Sequence, residues 1–138
     1  IRDWLFVEDH IDALISVINK GTIGRNYCIG GNNEKTNIDI ANIICLELDK
    51  KLPKKDSYRN LIKFVIDRPG HDKRYAIDSK RIKEELGWQP KNTFNSAISK
   101  TLDWYLNNRK WCEKVAKNGN YYGKRIGIYN SINQSINI

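Results

Sequence analysis

The chain has 138 residues, 40% of them apolar, enough for one compact domain with its own core. Its 24 Lys and Arg against 16 Asp and Glu give a net charge of +8 and a pI near 9.4, which invites nucleic acid as a partner; the charge is spread along the chain, so a solvated basic surface is the favoured reading. No run approaches the roughly 20 apolar residues of a membrane span, and Cys28, Cys45 and Cys112 are odd in number and widely spaced, which argues against a disulfide framework or a zinc site and for a reducing cytoplasm.

Residues 1–7 read as the middle of a β-strand, so the chain is expected to begin inside a larger protein. Glu8 and Asp9 then introduce a helix whose apolar face is Ile11, Leu14, Ile15 and Ile18, closed by Gly21. Residues 26–29 predict a short strand running into the Gly30-Gly31 pair, a tight turn. Thr36 or Asn37 caps the next helix, with Ile40, Ile43, Ile44 and Leu48 as its buried stripe and Cys45 as a small filler. The basic residues Lys50, Lys51, Lys54 and Lys55 suit the negative end of that helix.

Residues 61–66 form an apolar run of strand length, broken by Arg68-Pro69-Gly70. Asp78 or Ser79 caps a short helix through Leu86 that Gly87 ends. Thr93 caps a longer helix carrying Phe94, Ala97, Ile98, Thr101, Leu102 and Tyr105, with Trp104 and Trp111 expected to dock it. The four Trp residues, Trp4 and Trp88 included, read as core anchors. From Asn118 the chain turns rich in Asn, Gly and Tyr; residues 118–138 are expected to be a ragged or disordered tail. The order is α/β with too few strands for a complete doubly wound sheet, so the first two strands read as remnants of a larger one.

The G-x-G-x-x-G spacing of a dinucleotide turn is absent, no Ser, His and acid set stands out, and no His or Cys pair has metal-ligand spacing. The stretch that stands apart is 67–78. Arg68, His71, Lys73, Arg74 and Tyr75 gather donors on a turn fixed by Pro69 and Gly70, a chemistry suited to a diphosphate, with Arg68 and Arg74 as the guanidinium forks. On residue type alone an ordinary basic turn is an equal reading. Arg2 reads as a surface charge or partner of Asp3, Asn37 as a helix cap, and His10 as structural.

Taken together, Arg2 to His10, the Tyr27-Cys28-Ile29-Gly30-Gly31 strand and turn, Asp67-Arg68-Pro69-Gly70-His71-Asp72, Arg74 to Asp78 and Glu85-Leu86-Gly87-Trp88-Gln89-Pro90 resemble the dTDP-glucose 4,6-dehydratases. These are extended short-chain dehydrogenases/reductases, and the likeness runs to about Tyr122. The first and last of these elements are shared with other nucleotide-sugar epimerases and dehydratases; the Arg-Pro-Gly-His-Asp run narrows the choice. The resemblance implies an incomplete carboxy-terminal substrate domain with remnants of the Rossmann sheet, residues 1–117 forming the nucleotide-sugar-binding portion. It implies substrate contacts at Arg2, Asn37, Asp67, Arg68, Pro69, Gly70 and His71, a dTDP-sugar as ligand, and a homodimer. The family reaction uses NAD, oxidising the sugar at C4, eliminating water across C5 and C6 and returning the hydride to C6. Its NAD site and catalytic residues lie in an amino-terminal Rossmann portion outside this chain, so the isolated chain is expected to be inactive. A small basic nucleic-acid-binding module, or a fragment of another nucleotide-sugar enzyme, is the alternative.

Overall fold

A computed structural model describes residues 1–67 and 69–119. The elements are β1 (Arg2–Asp3), α1 (Val7–Lys20), β2 (Glu34–Lys35), α2 (Asn37–Lys51), a 3-10 turn (Tyr58–Leu61), α3 (Lys80–Leu86), α4 (Phe94–Asn107) and α5 (Arg109–Asn118). The strands pair antiparallel, Arg2 opposite Lys35 and Asp3 opposite Glu34.

The helices follow their end signals. Thr36 and Asp39 form a reciprocal capping box on α2, Thr93 accepts from the Ser96 N–H at the start of α4, and Gly87 ends α3 in the left-handed region at φ 70°. Thr36, not Asn37, is therefore the cap of α2; Asn37 is its first helical residue. At α3, Ser79 occupies the cap position while Asp78 Oδ1 accepts the Lys80 N–H at 2.9 Å. The single long helix expected after Thr93 is two, parted at Asn108, whose backbone and side-chain N–H groups both donate to the Trp104 carbonyl.

The strands follow their patterns less well. Residues 26–29 and 61–66 make no ladder among the described residues, and 1–7 contributes only Arg2–Asp3. A ladder needs a second backbone to complete it, and among the described residues these runs have no strand paired with them. The consequence is exposure: Phe64 is 87% and Ile66 90% accessible.

The inner core joins Ala13 of α1 to Ile82 and Leu86 of α3 and to Trp88, with Leu5, Val17, Tyr27 and Ile29 packed around them. The helical stripe predicted for α1 is not the one that packs here. Asp9, Ala13 and Val17 lie on one side, while Ile11, Leu14, Ile15 and Ile18 point away and are all at least 45% exposed. A second packing centre sets α2 against the 3-10 turn and α4, burying Ile40, Cys45, Tyr58 and Ala97. Of the Trp residues only Trp88 is buried. Trp4 is half-buried with its Nε1–H on the Lys35 carbonyl, and Trp104 and Trp111 are exposed, stacked edge-to-face on one another at 5.3 Å. α5 itself buries no residue.

Two carboxylates hold the layout together. Asp3 accepts the N–H groups of Gly31 (2.8 Å), Asn32 (3.3 Å) and Asn33 (2.8 Å), fixing the glycine turn against β1. Asp9, 2% exposed, accepts the N–H groups of Lys91 and Asn92 and the Asn92 side-chain amide, tying the start of α1 to the entry of α4.

Candidate functional site

The site forms where the 67–75 segment returns to the β1–β2 pair. The Tyr75 N–H donates to the Ile1 carbonyl at 3.0 Å, laying the segment beside β1. Gly70 takes φ 68°, a conformation that suits glycine, and the turn through Pro69 and Gly70 brings His71 over Arg2.

Arg2 organises the junction. Its Nη1 donates to the Ile1 carbonyl (2.7 Å), its Nη2 to His71 Nε2 (2.7 Å) and the Asp72 carbonyl (3.0 Å), and its guanidinium lies over the Tyr75 ring at 4.7 Å. Behind His71, Nδ1 meets the Asp67 carboxylate at 2.8 and 3.0 Å. The Tyr75 hydroxyl bonds Asp72. Asp67, His71 and Arg2 thus form a continuous chain from loop to strand.

Arg74 has another partner. Its Nε and Nη2 grip both Glu34 oxygens at 2.8 Å, a bidentate clasp between the loop and β2. That bond holds the Glu34 carboxyl below its ordinary range and raises the guanidinium. Arg74 is therefore a staple of the loop rather than the second anion fork that the sequence indicated.

Of the residues implied as substrate contacts, Arg2, Asp67 and His71 are joined directly, and Pro69 and Gly70 form the exposed turn between them. Asn37 is exposed at the first turn of α2, two residues beyond Lys35, the register partner of Arg2. Arg68 lies outside the described residues. Sequence reasoning missed Asp3 and Asp9 as organising groups. Asp9 carried a legible signal, since it stands four residues before Ala13, and an acidic residue on a helix's packed face needs donors from elsewhere.

Among the described residues, the Gly30-Gly31 turn does not fit a dinucleotide. The Gly31, Asn32 and Asn33 N–H groups of this turn are turned to the Asp3 carboxylate, and a Cβ at Gly30 would meet Asp3 Oδ2 at 2.6 Å. A negative group already fills the place where a phosphate would need those donors. The described residues also include no group of three or more His, Cys, Asp or Glu able to hold a metal ion, and no helix long and apolar enough to cross a membrane.

Helices around a small strand pair, with a loop of donors folded onto β1, describe part of an extended short-chain dehydrogenase/reductase, and solved structures of that class superimpose on it. The dTDP-glucose 4,6-dehydratase of Bacillus anthracis in complex with NAD matches 79% of this chain and 32% of its own, at 41% identity and a TM-score of 0.65. That of Streptomyces venezuelae, with NAD and TYD bound, matches the same shares at 33% identity and a TM-score of 0.71. The Bordetella bronchiseptica enzyme WbmF, in complex with NAD+ and UDP, is 25% identical over 86% of this chain and 33% of its own, with a TM-score of 0.65.

The sequence profile described as GDP-mannose 4,6 dehydratase matches residues 1–101, and the chain belongs to that family. Within it, a dTDP-glucose 4,6-dehydratase of Escherichia coli is 50% identical over 132 residues, and that of Shigella flexneri 56% over 121. These alignments take in 93% and 88% of this chain but 36% and 33% of the relatives, so the chain spans about a third of the length of the proteins it matches.

Proposed function

We infer that this chain is the carboxy-terminal, nucleotide-holding part of a dTDP-glucose 4,6-dehydratase, the NAD-dependent lyase that converts dTDP-glucose to dTDP-4-keto-6-deoxyglucose. The observation that carries this reading is the junction of Arg2 with the 67–71 loop, in a chain 50% identical to such a dehydratase over most of its length. Arg2, Asn37, Asp67, Arg68, Pro69, Gly70 and His71 are the proposed contacts of the substrate's diphosphate. Arg2 and Arg68 supply the positive charge of the grip, and Asp67 holds His71.

The chain's part in the reaction is orientation. Gripping a remote diphosphate converts its binding energy into alignment of the hexose. The NAD site and the proton-transfer groups belong to an amino-terminal Rossmann portion, which this chain requires as partner, and the homodimer of the family is built with it. Alone, the chain has no turnover. The free thiols of Cys28, Cys45 and Cys112 fit a reducing cytoplasm.

Calorimetric titration with dTDP tests the grip: binding is expected to be salt-sensitive, and Arg68→Ala to weaken it about tenfold, the worth of one charge-assisted bond. Unchanged binding by that variant removes the loop from the site. Turnover of dTDP-glucose and NAD by the 138-residue chain overturns the division of labour.

A further inference from the structure

The bond between Arg2 and His71 fixes where the imidazole keeps its hydrogen. A guanidinium only donates, so His71 Nε2, 2.7 Å from Arg2 Nη2, is the acceptor. With Nε2 accepting, the ring hydrogen belongs on Nδ1, which meets Asp67 at 2.8 Å. A protonated ring would set N–H against N–H and one cation against another.

We propose that His71 is the positioning residue of Arg2. Asp67 holds the Nδ1–H, the ring is thereby made to present its lone pair at Nε2, and that lone pair aims the guanidinium. The Asp72 and Ile1 carbonyls and the face of Tyr75 complete the seat. An arginine loses much rotamer freedom when it grips a ligand, and one already held in place loses less. The Nε–H and the second Nη1–H take no part in these contacts and remain for an anion.

This proposal deepens the diphosphate reading and rests on it for its purpose, but not for its geometry. It adds to the proposed contact of His71 a second task, the aiming of Arg2.

Nitrogen-15 spectra of the labelled full chain, at a pH where histidine is neutral, report the tautomer of His71, with the exposed His10 as internal reference. The expected wild-type pattern is a hydrogen-bearing Nδ1 and a bare Nε2, with Asp67→Ala moving the hydrogen toward Nε2. His71→Asn keeps a donor near Nδ1 but drops the acceptor, and should weaken dTDP binding about tenfold. His71→Gln, whose Oε1 replaces Nε2 as acceptor, should recover most of that loss. A hydrogen on Nε2 in the wild-type chain, a pattern unmoved by Asp67→Ala, His71→Asn binding like wild type, or His71→Gln binding no better than His71→Asn each overturns the proposal. If the wild-type chain takes up no dTDP, the diphosphate reading fails by itself, and the two tautomer measurements still decide the positioning role.

Discussion

Replacing Asp9 by alanine strips an acceptor from three donors at once. The Lys91 N–H at 3.1 Å, the Asn92 N–H at 3.2 Å and the Asn92 amide at 3.0 Å all point to this one carboxylate, which is 2% exposed. At about 1 kcal/mol net for each lost bond, the variant should be less stable by about 3 kcal/mol. That is a large share of the roughly 5–15 kcal/mol that holds a domain together. For a chain of this size, about 3–5 °C is lost per kcal/mol, so the melting temperature should fall by roughly 10–15 °C. Asp9→Asn keeps one oxygen acceptor and should lose about half as much. Glu8→Ala, one residue away and exposed, is the control, expected within about 0.5 kcal/mol of wild type. Thermal and urea unfolding followed by circular dichroism measure all three. Asp9→Ala melting alongside Glu8→Ala would show that the carboxylate does not hold α1 to the entry of α4.

Other outcomes follow from the same contacts. The Arg74 bond lowers the Glu34 carboxyl, so the clasp between loop and β2 should persist above the ordinary glutamate value and be lost only as pH falls through the lowered one. Carbon-13 titration of Glu34 should give a midpoint below that of a model glutamate, and Arg74→Ala should restore the ordinary midpoint. Gly31→Ala places a Cβ against the Trp4 carbonyl, and the backbone cannot retreat without giving up β1; a loss of about 2–3 kcal/mol is expected. Gly24→Ala, in open space but at φ 81°, should cost about 1 kcal/mol in urea unfolding. Thr36→Ala removes the N-cap of α2 and should cost about 1 kcal/mol in the same assay.

How far these features were legible depends on whether their cause is local. Caps at Thr36 and Thr93 and the stop at Gly87 act within a turn of chain, and the helices lie where those residues predict. A strand is a relation between two backbones, so the apolar runs at 26–29 and 61–66 indicated an extended chain without saying what would lie beside it. The outward stripe of α1 has the same origin: periodicity identified an apolar face, and the small residue Ala13 marked the side that α3 approaches closely. At the site, the composition of 67–71 indicated an anion turn, but only the resemblance tied Arg2 to it, across 69 positions of sequence. That His71 would stand between Arg2 and Asp67, and that Arg74 would close on Glu34, depended on how the loop returns to β1–β2.

The Asp9 anchor also sets an order of events during synthesis. Its donors are 82 and 83 residues further along, and at roughly 5–20 residues per second a ribosome adds them on the order of ten seconds later. Until then α1 emerges with a carboxylate that has no docking partner on one side and Ile11, Leu14, Ile15 and Ile18 on the other. Over that interval the helix has no anchor at its start, and its apolar stripe is open to a chaperone.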